Sequence, residues 1–206
     1  MSTLPKRRAA PFAPWAEIVP GYGPVTVDLL PTMPDDGYVY EVVEGVLVRM
    51  AGSGFNATTL GLELAAELRN YVLPRRLGRV TGADGVYKFP GAETGLLPDV
   101  GFVAAAKVAV IADRRRPIPF APDLAVEVAS PDQTPDAMAA KARTYLDGGT
   151  RLVWVIWPDR QQIEVWHAGR SVGPATMLSM DDTLEGEDVI PGFMHPVAAV
   201  FADPLA

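Results

Sequence analysis

Three charged residues stand where apolar packing would be expected. Asp99 follows Pro98 and leads into the apolar run Val100-Gly101-Phe102. Glu127 lies inside Asp123-Leu124-Ala125-Val126-Glu127-Val128-Ala129. Strand alternation puts Leu124, Val126 and Val128 on one face and Glu127 on the other, with Ala125 and Ala129. A carboxylate in so apolar a strand is costly unless something pairs with it, and the small alanines leave open space beside it. Lys141 is three residues after Met138 and four before Tyr145, so on a helix all three share one face. A lysine turned toward that packed face needs a partner, and a carboxylate is the cheapest one. Two carboxylates and a lysine suit metal-dependent phosphodiester hydrolysis. Asp99 and Glu127 offer hard oxygen ligands to Mg2+ or Mn2+. Such an ion polarises a phosphate and lowers the pKa of a bound water, and the lysine orients that water or stabilises developing negative charge. The same residues equally suit a buried ion-pair network without turnover, and their spacing leaves both readings open.

The rest of the composition narrows the chemistry. The chain has 206 residues, no cysteine and two histidines, His167 and His195. Thiolate zinc sites, cysteine nucleophiles, disulfides and histidine-rich metal centres are thereby excluded. There is no Gly-x-Ser-x-Gly elbow, P-loop or dinucleotide fingerprint. The longest apolar run, Leu152 to Trp157, is strand-sized, and no apolar signal core follows the basic start Met1 to Ala10; the expectation is a cytoplasmic protein with no membrane association. The net charge of −7 argues against a basic footprint over the whole surface but not against a local one. Basic clusters occur at Lys6-Arg7-Arg8, at Arg75-Arg76 with Arg79, and at Arg114-Arg115-Arg116.

The elements that must position these residues follow from the pattern. Prolines at 5, 11, 14, 20, 24, 31 and 34 prevent a long regular element, so residues 1–35 are expected to form an arm whose Trp15 and Ile18 pack on the domain or on a second subunit. Residues 36–206 are expected to form one domain. Tyr38–Val43 and Val46–Met50 read as a hairpin with Glu44-Gly45 at the turn. A helix follows, with Asn56 as its N-cap and Pro74 as its stop. Strands are expected over 79–89, broken by glycines at 82 and 85, and over 96–104 and 123–129. A second helix begins at Thr134-Pro135 and ends at Gly148-Gly149. Leu152–Trp157 and Gln162–His167 are strands joined at Pro158-Asp159-Arg160. The tail from Gly173 is irregular, with a short apolar end at Val197 to Phe201. The economical α/β architecture is a central mixed sheet flanked by helices, with the hairpin before it.

Taken in order, several segments resemble the Uma-two family of restriction endonuclease-like proteins, within the PD-(D/E)XK nuclease superfamily. They are Tyr40-Glu41-Val42-Val43-Glu44-Gly45-Val46-Leu47, Pro98-Asp99-Val100, Pro122 through Pro131, Lys141-Ala142-Arg143-Thr144-Tyr145, Gly149, and Val153 through Pro158. The resemblance runs from about Tyr38 to Phe201. It implies a nuclease core in which Asp99 and Glu127 bind metal. The superfamily's usual lysine lies two residues after the glutamate, where this chain has Ala129. The resemblance places that lysine on the following helix, as Lys141, and adds Glu41 as a further acidic site residue. Asn56 stands where the family often has histidine, and Asp132 where a small hydroxyl residue is common.

These expectations give a Mg2+- or Mn2+-dependent endonuclease acting on DNA, as a homodimer built from the arm and the apolar strands Leu152–Trp157 and Gln162–His167. The competing reading is a binding or assembly module that keeps the same residues as a structural network. Geometry separates them: an enzyme needs the carboxylates and the amine to converge on an open cleft, whereas a module lets them be buried or point apart. Asp84, in a glycine-broken stretch, His167 and His195 read as ordinary residues.

Overall fold

The structure, a computed structural model, describes residues 12–169, 173, 174 and 176–202. The Lys6-Arg7-Arg8 cluster lies outside them. In chain order the elements are β1 (Glu17–Ile18), β2 (Tyr38–Val43), β3 (Val46–Ala51), α1 (Phe55–Val72), β4 (Gly78–Thr81), β5 (Tyr87–Lys88), β6 (Gly95–Leu96), β7 (Val100–Ala104), α2 (Ala105–Val108), β8 (Leu124–Val128), α3 (Pro135–Asp147), β9 (Leu152–Trp157), β10 (Gln162–His167), β11 (Thr176–Leu178), β12 (Thr183–Glu185), β13 (Met194–Pro196) and α4 (Val197–Val200). No helix among the described residues is long and apolar enough to cross a membrane.

The central sheet is six-stranded, in the order β11-β10-β9-β8-β7-β4. It is mixed, because β8 and β9 run parallel while every other pair is antiparallel. α3 makes the crossover between β8 and β9, as a parallel pair requires. A second sheet, β1-β3-β2-β6-β5, contains the hairpin, and β12 and β13 form a separate ribbon. The hairpin turn is as expected: Glu44 and Gly45 both have positive φ, 48° and 78°, which suits the twist of a two-residue loop.

The two faces of the central sheet carry different cores. Leu124, Val126 and Val128 of β8 pack with Leu152, Trp154 and Ile156 of β9 against α1 and the C-terminal tail. Ala125 and Ala129 face the other way, toward Met138, Ala142 and Tyr145 of α3 and toward the second sheet through Val43 and Val48. This second layer, between α3 and the two sheets, is where Glu41, Glu127 and Lys141 gather, while Asp99 sits beside Gly61 of α1.

Several expectations are corrected. α1 begins at Phe55 with Gly54 as N-cap, not at Asn56, and its first turn is tied by the Thr58 and Thr59 hydroxyls bonding back to Gly54, Phe55 and Asn56 carbonyls. The stretch 79–89 is two strands in different sheets, β4 and β5, because Gly82 and Gly85 break it. The stretch 96–104 is likewise divided at Pro98-Asp99 between β6 and β7. The tail carries three short strands and α4 rather than irregular chain. β9 is buried along its whole length by its own chain, and β10 lies between β9 and β11, so these strands supply core and not a subunit face. α3 matches its expected bounds: the Thr134 hydroxyl accepts from Ala137 N at 3.3 Å, and Gly149 at φ 102° follows its C-cap.

Candidate functional site

The break at Leu97-Pro98-Asp99 is what assembles the site. β6 belongs to the second sheet and β7 to the central one, so this tripeptide carries the chain from one to the other. Its Leu97 N–H donates to Glu41 Oε1 on β2 at 3.1 Å. Two residues later Asp99 reaches β8, where its Oδ2 accepts the Val128 N–H at 2.7 Å. β7 and β8 are antiparallel with Val100 opposite Val126, so one step further along the ladder position 99 comes opposite Glu127. The Leu97-Pro98-Asp99 crossing thus carries Asp99 to β8 and, through the Leu97 N–H, ties it to Glu41 of the second sheet.

α3 closes the site from above. Lys141 Nζ lies 3.0 Å from Glu127 Oε2 and 3.2 Å from Glu41 Oε1. One turn later the Tyr145 hydroxyl donates to Glu127 Oε1 at 2.6 Å. Glu41 Oε2 accepts the Trp15 indole N–H at 3.0 Å. Glu41, Lys141 and Glu127 are 0%, 2% and 5% exposed, and Asp99 is partly exposed. Glu41, Lys141 and Glu127 therefore meet and are buried, and Asp99 sits next to them, bonded to the Val128 N–H. Sequence reasoning placed Tyr145 on the packed face without a polar role, although its i, i+4 relation to Lys141 is the signal that both can reach one strand residue. Trp15 carried no signal beyond being a large aromatic in a proline-rich arm.

Three carboxylates share one ammonium, and the electrostatics follow. Burial pushes the Glu127 carboxyl up to about 8, the Asp99 and Glu41 charges add to the rise, and Lys141 and Tyr145 oppose it. Burial also raises Asp99, against the pull of the Val128 N–H and of Lys141. Burial alone would lower Lys141, but Glu127, Glu41 and Asp99 outweigh it and hold the ammonium above its usual range. A carboxyl with a higher pKa in the folded than in the unfolded state binds its proton more tightly when folded. Its contribution to stability is full below the usual 4.5 and is lost as the pH rises through about 8. Metal-free protein should therefore lose stability relative to Glu127→Gln between about pH 5 and about pH 9. Chemical denaturation in chelator reads this, and a constant difference between the two proteins contradicts it.

The Tyr145 hydrogen bond is short, buried and made to a carboxylate. Above about pH 9, where Glu127 is ionised, Tyr145→Phe should cost about 1.5–3 kcal/mol, the range for hydrogen bonds to charged groups, with the fold kept because the ring still packs against Phe89, 5.8 Å away between centroids. Urea denaturation measures it, and a variant as stable as wild type contradicts the stated role.

The remaining candidates lie elsewhere. Asp84 is exposed in a turn. His167 ends β10 and meets Glu187 at 2.7 Å, and His195 stacks on Phe193. Arg75, Arg76 and Arg79, and Arg114 to Arg116, are exposed; Arg115 and Arg116 pair with Asp113.

Among the described residues, no group of three or more His, Asp or Glu side chains is arranged to hold a metal ion. A magnesium-type site does not need such a cage, since one or two carboxylates with waters and substrate phosphate complete its octahedron. Among the described residues only one oxygen of Asp99 accepts a hydrogen bond, which leaves Oδ1 open. Glu127 uses two of its roughly four lone-pair positions, one on each oxygen. The donor set fits a hard divalent cation.

A central mixed sheet with a helix crossing between its parallel strands and further helices packed on it is the architecture of the restriction-endonuclease-like class. The profile of the Uma2 family, described as "Putative restriction endonuclease", matches residues 27–198, and the chain belongs to that family. The structure is similar to a crystal structure described as "a putative nuclease belonging to DUF820" from Anabaena variabilis, with a TM-score of 0.71 and 19% identity, covering 86% of this chain and 98% of that one. That likeness establishes the fold. No curated protein matches.

Proposed function

We propose that the chain is a divalent-metal-dependent endonuclease that hydrolyses phosphodiester bonds in DNA. The observation that carries this reading is the convergence of Asp99, Glu127 and Lys141, with Glu41 behind them, at one junction of two sheets and a helix. In this reading Asp99 and Glu127 hold Mg2+ or Mn2+, and the bound ion supplies charge for the phosphate and a more acidic water. Lys141, gripped between Glu41 and Glu127, presents a fixed positive charge to the phosphate oxygens or to the water, in a dry setting where such a charge acts strongly. Tyr145 keeps the Glu127 carboxylate from rotating. Asp99, the partly exposed member, marks the side from which a phosphate approaches. On an acidic protein the phosphate-binding surface must be local, and the exposed arginines at 75, 76 and 79 and at 114 to 116 are its candidates. The reading includes a cytoplasmic setting and a homodimer, with the exposed Ile18 of the arm as an apolar contact.

The burial of Glu41, Lys141 and Glu127 favours a second reading, a binding or assembly module in which the same network is structural. Incubating the protein with supercoiled plasmid and with structured RNA, in magnesium and in manganese, tests the proposal. Nicking of plasmid and not of RNA supports it; intact plasmid under every condition supports the module.

A further inference from the structure

We infer that Trp15, on the N-terminal arm, is a positioning residue of the site: its indole N–H holds Glu41 so that Glu41 in turn holds Lys141. Trp15 lies outside the stretch matched by the family profile, which begins at residue 27. Its indole nevertheless reaches the most deeply buried acid of the cluster, at 3.0 Å.

The hydrogen-bond inventory of Glu41 gives the reason. Oε1 takes the Leu97 N–H and lies 3.2 Å from Lys141 Nζ. Among the described residues Trp15 is the sole donor to Oε2. Glu41 is fully buried, so without that N–H one carboxylate oxygen is left unsatisfied in a dry site. The carboxylate is then free to turn toward other donors, and the ion pair that aims Lys141 loosens. Packing alone does not call for tryptophan here, since a phenyl ring also fills apolar space. A buried indole N–H must find an acceptor, and this one finds the acid that anchors the lysine.

The arm is held in register just beyond Trp15. Glu17 and Ile18 pair with Arg49 and Val48 on β3, and the Arg49 guanidinium lies 3.3 Å from Glu17 Oε2. Ala13 and Trp15 are buried while Glu17 and Ile18 are exposed. The segment on the site side of this tie is thus the one that packs inward. β3 is the hairpin partner of β2, with Val48 opposite Glu41, so the tie fixes the arm to the neighbour of the strand whose acid Trp15 contacts.

The turnover arm of the test rests on the nuclease reading; the spectroscopic arm does not. Trp15→Phe keeps an aromatic ring and removes the N–H. It should fold, with kcat for plasmid nicking reduced roughly tenfold to a hundredfold, as for a small misplacement of a catalytic group, and with KM for DNA unchanged. In a Glu41→Gln background Trp15→Phe should cost nothing further, because the two residues act through one contact. A wild-type rate in Trp15→Phe, or losses that multiply in the double variant, overturns the inference. Independently of turnover, the 15N-detected ammonium signal of buried Lys141 should move in Trp15→Phe, and the Trp15 indole proton should move in Glu41→Gln. If wild type nicks nothing, the nuclease reading fails and these two signals decide: both moving supports positioning, and either one unmoved leaves Trp15 as packing only.

Discussion

Lys141→Met should destabilise the fold by about 3–5 kcal/mol and, in the nuclease reading, abolish cleavage. The stability loss follows from burial. Lys141 lies between Glu41 and Glu127, and all three are nearly or wholly inaccessible. Methionine preserves the apolar stem, so packing against Met138 and Tyr145 is retained, but two buried carboxylates lose their cation. Removing one partner of a buried pair leaves an uncompensated charge, which is far more damaging than never having had the pair. Protonation of Glu127, already favoured by its surroundings, takes up part of the cost, so the loss should be larger at high pH than at low. In the nuclease reading magnesium restores part of the stability, by partnering the carboxylates, without restoring cleavage, since the charge aimed at the phosphate is gone. Urea denaturation and nicking on the same samples, with and without magnesium, measure both effects. A variant as stable and as active as wild type removes Lys141 from the site.

The second large effect expected in the nuclease reading is on metal binding. Manganese at about a hundred times its dissociation constant should stabilise wild type by about 2.7 kcal/mol, the linkage expected for one site. Asp99→Ala should abolish that gain. Asp99 supplies the open oxygen, and its other oxygen caps the Val128 N–H at the end of β8. The alanine variant therefore also carries a modest intrinsic loss, of about 1.5–3 kcal/mol, present with or without metal. The metal-dependent increment is the diagnostic quantity. Calcium, with the same preference for oxygen, should stabilise without supporting turnover. Equal increments in wild type and Asp99→Ala contradict the assigned ligand.

Much of this was legible in the sequence because it rests on local rules. Alternation alone put Glu127 opposite Leu124, Val126 and Val128, and the two faces do separate into different cores. Helical spacing turned Lys141 inward or along the edge of α3, and the structure buries it. The bounds of β9, β10 and α3 followed from proline, glycine and β-branched residues. Long-range pairing was not legible. Gly82 and Gly85 marked a break in 79–89 and 96–104 looked continuous, but only tertiary structure shows that each run serves two sheets. The same limit hid the use of Leu97 and Asp99 as a bridge between sheets, and the reach of Trp15 to Glu41 across 26 positions of sequence. Apolar strands read as a subunit surface proved to be core, since hydrophobicity does not say which chain covers a strand. Glu41 entered through family resemblance; nothing in the hairpin's own pattern distinguished it from a solvated strand glutamate.

If the acid–lysine cluster cuts DNA with a divalent metal, plasmid nicking by wild type and by Glu127→Ala reveals it. Wild type should convert supercoiled plasmid to nicked and linear forms in magnesium or manganese and not in chelator. Glu127→Ala should leave the plasmid supercoiled in all three, while remaining folded by circular dichroism. Nicking by Glu127→Ala at the wild-type rate, or no nicking by wild type in either metal, contradicts the nuclease reading.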